Sequence, residues 1–139
     1  MRAQLPAGWT ANRAVLDAGG PWSANNFANR YLRGGLIPVA GCEIEGVAAS
    51  PDMPRVPELI RKEIPGASSV EPATINGFPG YRVSYLEDYG PTARYQSVAV
   101  YISAPRVYKL FLTYRAGDSA ESGCLAAFEK TLASFQPAQ

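Results

Sequence analysis

From residue 70 onward the chain alternates apolar and polar positions with a period of two, then changes to a period near 3.6. Val70 to Ile75 predicts a strand, and Asn76-Gly77-Phe78-Pro79-Gly80 supplies turn chemistry. Tyr81, Val83 and Tyr85 then alternate with Arg82, Ser84 and Leu86. In the next run Val98, Val100 and Ile102 form one face, against Tyr95, Ala99 and Tyr101. Beyond an Ala104-Pro105-Arg106 turn, Tyr108, Leu110, Leu112 and Tyr114 oppose Val107, Lys109, Phe111 and Thr113. Both faces of these two central strands are substantially apolar, which predicts a sheet covered on both sides over part of its area. A closing helix over about 119–135 follows. It starts at Asp118 or Ser119, carries Glu121 three residues after Asp118 as in a capping box, and has a stripe of Leu125, Phe128, Leu132 and Phe135.

The first half is less regular. Leu5-Pro6-Ala7-Gly8-Trp9 reads as a turn into a short strand, roughly Thr10 to Leu16. The stretch 17–41 is rich in Gly, Asn and Pro, and its Gly19-Gly20-Pro21 and Gly34-Gly35 pairs predict one long ordered loop anchored by its aromatics. Loops of that length are uncommon inside a compact domain and often functional. Cys42 to Ala49 alternates as a strand with one wet face in its first half. A helix is predicted next, with Asp52 as a cap, Val56, Leu59, Ile60 and Ile64 at helical spacing, and Pro65-Gly66 as the stop. Pro57 sits where a first-turn proline is tolerated.

At 139 residues the chain is expected to form a single domain, 1–139, with its own core. Thirteen basic and twelve acidic residues give a net charge of +1, so no global field attracts nucleic acid, although Arg30, Arg33, Arg55, Arg61 and Lys62 leave room for a local basic patch. No apolar run approaches the roughly 20 residues that cross a membrane, and MRAQLPAGW lacks the apolar core of a signal peptide. Histidine is absent, which removes Ser-His-Asp and Cys-His catalysis and the commonest metal ligand. The expectation is a non-enzymatic chain with no metal and no cofactor.

Four groups of residues are candidates for more than packing. Cys42 and Cys124 read either as two buried thiols or as a disulfide between the second strand and the closing helix. An even cysteine count in a small protein that looks exported favours the disulfide. Within 17–41, Trp22, Asn25, Asn26, Arg30, Tyr31 and Arg33 include residue types enriched at binding hot spots, beside the plainer reading of aromatics folded into the core edge. Tyr81, Tyr85, Tyr89, Tyr95, Tyr101, Tyr108 and Tyr114 crowd one region. Tyrosine is a good strand residue, and an aromatic-lined groove is the alternative. Glu43 and Glu45 share one strand face and Glu87-Asp88 sit near a turn. Such pairs serve glycoside hydrolysis or cation binding in some proteins, but a solvated strand edge is the expected reading here.

The order of elements, together with Pro6-Ala7-Gly8-Trp9, Ile75-Asn76-Gly77-Phe78-Pro79-Gly80-Tyr81-Arg82 and the closing Leu132-Ala133-Ser134-Phe135, resembles the PsbP-like superfamily. That group shares an antiparallel sheet sandwiched by helices with the Ran-binding Mog proteins and small bacterial exported proteins. The resemblance implies an α+β fold, with an antiparallel β-sheet covered by helices on both sides (an α/β/α sandwich). It also implies an accessory or interaction subunit of a larger, membrane-attached assembly, with a protein partner and an exported location. A small-ligand-binding exported protein with an aromatic-lined pocket is the alternative function, and the cytoplasm is the alternative location. The matching motifs are structural, so no catalytic residue transfers.

Overall fold

The computed structural model describes residues 3–6, 8–11, 22–25, 28–32, 35–40, 42–47, 53–67, 69–88, 94–116 and 121–137. The elements run β1 (Thr10–Ala11), β2 (Trp22–Asn25), β3 (Ala28–Leu32), β4 (Gly35–Ala40), β5 (Cys42–Val47), α1 (Pro57–Glu63), β6 (Val70–Ile75), β7 (Phe78–Asp88), β8 (Arg94–Ser103), β9 (Val107–Arg115) and α2 (Glu121–Ala133). Seven strands form one sheet in the order β1-β2-β5-β9-β8-β7-β6, while β3 and β4 pair separately. Every pairing is antiparallel.

Alternation along β5, β8 and β9 sorts side chains onto two faces. The inner face carries Cys42, Ile44, Val98, Val100, Ile102, Tyr108, Leu110, Leu112 and Tyr114, all buried with Cys124, Phe128, Leu132 and Phe135. This is the docking surface of α2, whose periodic stripe meets it as the sequence predicts. Phe135 lies just past the helix end and packs edge-on against Phe78 and Tyr108, at ring centroid distances of 5.8 and 5.5 Å. Cys42 and Cys124 are joined as a disulfide between β5 and α2, with Cα atoms 5.9 Å apart and 82 residues of sequence between them. Leu5 and Trp9 pack against the same cluster, and the Gln4 N–H donates to Ser134 Oγ at 2.6 Å.

The outer face is built differently. Ile60 and Ile64 are buried against Val83, Ala99, Tyr101 and Val107, with Tyr81, Tyr85 and Phe111 partly buried around them. The apolar positions on this side are few and clustered, so one short helix meets their demand. The α/β/α sandwich with helices over both faces is therefore not what forms. The fold is dominated by its antiparallel sheet and has two short helices among the described residues, of which α1 is seven residues long. Seven residues of helix span about 10 Å, the width of two or three strands, and cannot cover a seven-stranded sheet.

A second correction concerns 17–41. The described part of this stretch is mostly strand, comprising β2, β3 and β4, and is not one long irregular loop. Strands form here despite the glycine and asparagine content, because strand formation depends on the neighbour that pairs as much as on intrinsic propensity. β2 finds that neighbour in β5, with Trp22 opposite Gly46 and Asn25 opposite Glu43. The expected β6–β7 turn is also tighter than the sequence suggests. It consists of Asn76 and Gly77 alone, with φ of 47° and 87°, as a two-residue type I′ hairpin requires.

Candidate functional site

Ladder registers convert the outer face into rows, since directly opposed residues on neighbouring strands share a face. One row reads Glu43, Thr113, Ser97, Tyr85 across β5, β9, β8 and β7. The next reads Glu45, Phe111, Ala99, Val83, and the one after it Val47, Lys109, Tyr101, Tyr81. The sheet thus brings two carboxylates, a lysine, two hydroxyl residues and three tyrosines onto one surface beside α1.

Helix α1 enters this surface through Glu63. The Tyr101 hydroxyl donates to Glu63 Oε2 at 2.8 Å, and Lys109 Nζ lies 4.0 Å from Glu63 Oε1. The ammonium also sits over two rings, 5.2 Å from the Tyr101 centroid and 5.3 Å from that of Phe111. The Lys109 side chain is only 15% exposed, so its stem is packed while its charge is matched by rings and carboxylate. In the first row, Ser97 is fully buried and its Oγ lies 3.3 Å from Thr113 Oγ1.

Electrostatics single out Glu45. Burial pushes its carboxyl up to about 8, with a hydrogen bond to Glu43, the Glu43 charge and Glu87 acting in the same direction and Lys109 opposing them. Near neutrality Glu45 is therefore largely protonated, and it can donate as well as accept a hydrogen bond. Burial also raises Tyr85, against a hydrogen bond from Ser97 and with help from Glu87, Glu45 and Glu63. Tyr101 is raised by burial and by its bond to Glu63, so the phenol stays a donor. Among the described residues, no group of three or more His, Cys, Asp or Glu is arranged to hold a metal ion.

The reading of Glu43 and Glu45 as a solvated strand edge is overturned. β5 lies inside the sheet between β2 and β9, which is why Glu45 loses enough water to shift so far. The four described members of the six candidate binding residues fall in two different sheets. Trp22 and Asn25 belong to β2 in the main sheet, Arg30 and Tyr31 to β3 in the two-stranded sheet, and Asn26 and Arg33 lie outside the described residues. Their nearest tie to the outer surface is the pairing of Asn25 with Glu43. Lys109 and Glu63 were not singled out from sequence. The signal was present in β9, where Lys109 is the single charge inside the run VYKLFLTY.

No family model matches the chain, and no curated protein sequence matches it. Among solved structures it is similar to a protein from Bacteroides thetaiotaomicron VPI-5482, at 14% identity and a TM-score of 0.57, over 99% of this chain and 44% of that one. The chain thus spans less than half the length of that protein, and at this identity the likeness shows a shared fold alone. It is also similar to PA94 from Pseudomonas aeruginosa, a protein of unknown function, at 14% identity and a TM-score of 0.49, over 82% of this chain and 99% of that one.

Proposed function

We propose that this chain is a non-enzymatic interaction domain that serves as an accessory subunit of a larger assembly in an oxidising, exported compartment, with PsbP-like proteins as its kin. One observation carries the reading. The outer sheet face presents Glu43, Glu45, Lys109 and Tyr85 beside a helix too short to cover them, and holds a carboxyl protonated near neutrality where a partner's donors and acceptors can reach it. Half-buried polar groups on a rigid sheet suit recognition of another protein's polar surface, because the groups are ordered before the partner arrives. The buried Cys42–Cys124 bridge supports the oxidising compartment, where such bonds persist. No helix among the described residues is long and apolar enough to cross a membrane. A ligand held in an aromatic-lined pocket has less support, because Tyr81 is the one tyrosine lining the three clefts of about 650, 260 and 510 Å³.

The test is cross-linked capture from the native source, comparing the wild-type chain with Glu45→Lys and with Glu129→Lys on the opposite side of the sheet. A partner held through the outer face is lost with the first variant and kept with the second. Equal recovery with both variants sinks the reading.

A further inference from the structure

A cleft of about 510 Å³ lies at the far corner of the sheet, away from the carboxylates, and two prolines explain why the ladder is open there. With Asn76-Gly77 as a two-residue turn, Ile75 and Phe78 form the hydrogen-bonded pair next to it, so Thr74 and Pro72 direct their backbone polar groups away from β7. Pro72 has no N–H to present at this edge, which leaves Thr74 as an outward donor. On the other side of β7, pairing with β8 ends at Gly80 opposite Ile102. Pro79 has no N–H with which to extend the ladder to Ser103.

The groups around this opening are donors. The lining includes Arg55, Thr74, Tyr81 and Ser103 along with the two prolines, and no carboxylate lines it among the described residues. Arg55 is held in place by its Nη1, which donates to the Pro105 carbonyl at 3.0 Å and leaves its other N–H groups to face the cleft or solvent. The turn that anchors it also carries Arg106, which is exposed. Cleft volume falls in the range of small-molecule sites, and the mix of one guanidinium with three hydroxyls matches an acceptor-rich ligand.

We propose that this corner is a binding site for a small oxyanion, a phosphate or carboxylate group, held by the Arg55 guanidinium with Thr74, Tyr81 and Ser103 as supporting donors. The site lies at the far end of the outer face and shares only Tyr81 with the rows described there; it does not rest on the interaction reading, which can fail without it. The ligand would lie over the open end of the ladder, within reach of the guanidinium and the three hydroxyls that line the cleft.

Titration with inorganic phosphate and, separately, with citrate at constant ionic strength tests this, followed by amide chemical shifts. We expect saturable shifts at Thr74, Gly80 and Ser103, with the stronger anion telling phosphate from carboxylate chemistry. Arg55→Gln should weaken binding by about tenfold or more, the usual worth of a charged hydrogen bond, while Lys130→Gln on α2 leaves it unchanged. If Arg55→Gln does not fold, Ser103→Ala, which keeps the guanidinium, should still weaken binding severalfold. Absence of saturable shifts with both anions, shifts centred elsewhere, or unchanged affinity in the Arg55 or Ser103 variant overturns the proposal.

Discussion

The two faces of the sheet both bury residues of β8 and β9, yet they are held by different means. On the inner face thirteen residues of α2 meet a continuous apolar surface, reinforced by the Cys42–Cys124 bridge and by Phe135 wedged between Phe78 and Tyr108. On the outer face seven residues of α1 rest on a small apolar island and are tied down by Glu63, through Tyr101 and Lys109. Dispersion and area dominate the first, while a few directed polar contacts decide the second. The inner face should therefore set global stability, and the outer face should loosen first.

Removing the bridge is the sharpest way to break this contrast. The Cys42→Ala/Cys124→Ala variant should lose about 4–5 kcal/mol in a urea melt, from the long loop that the bridge closes in the unfolded chain. Next comes Phe128→Ala, which empties a fully buried site and should cost about 3–5 kcal/mol in the same assay. Losses below about 1 kcal/mol in either variant would mean that the inner face is not the stabilising one.

On the outer face the effects shrink. Tyr101→Phe deletes the hydroxyl bound to Glu63 and should cost about 1 kcal/mol, since Glu63 is partly in water and the contact is screened accordingly. Its clearer signature is faster hydrogen exchange in α1 with α2 unaffected. The last effect is the pH dependence of Glu45. Its carboxyl is raised in the folded protein, so the folded state binds the proton more tightly than the unfolded one between the ordinary value of 4.5 and about 8. Stability from this group is full below the lower limit, declines as pH rises through that window, and is flat above it. The decline should appear in a series of melts across that range, and Glu45→Gln should remove it.

The same contrast explains what was legible in the sequence. β8 and β9 declare both faces by alternation, and the stripe Phe128, Leu132, Phe135 names the helix that covers one of them. What alternation does not say is how much cover the second face needs. Val83, Ala99, Tyr101 and Val107 look like a demand for a whole helical layer, but they lie close enough together for Ile60 and Ile64 to satisfy. β2 to β4 were hidden for another reason: Gly19-Gly20-Pro21 and Gly34-Gly35 read as breakers, and the strands that form are set by pairing rather than by local residues. The Glu45 environment was equally out of reach, because it depends on β5 sitting third in the sheet order, between β2 and β9.

The Asn76-Gly77 turn has a consequence for the chemical lifetime of the molecule. Asparagine followed by glycine is the pair most prone to lose its side-chain amide, since glycine leaves the next backbone nitrogen free to attack the side-chain carbonyl. In this fold the Asn76 amide is in use, with Nδ2 donating to the Phe135 carbonyl at 2.7 Å and so tying the hairpin to the segment just past α2. Deamidation would exchange that donor for a carboxylate facing a carbonyl oxygen, turning an attraction into a repulsion where Phe135 is seated. A single ageing reaction at an exposed turn thus acts on the end of the inner core, and intact-mass measurement of a stored sample would reveal it as a gain of one mass unit.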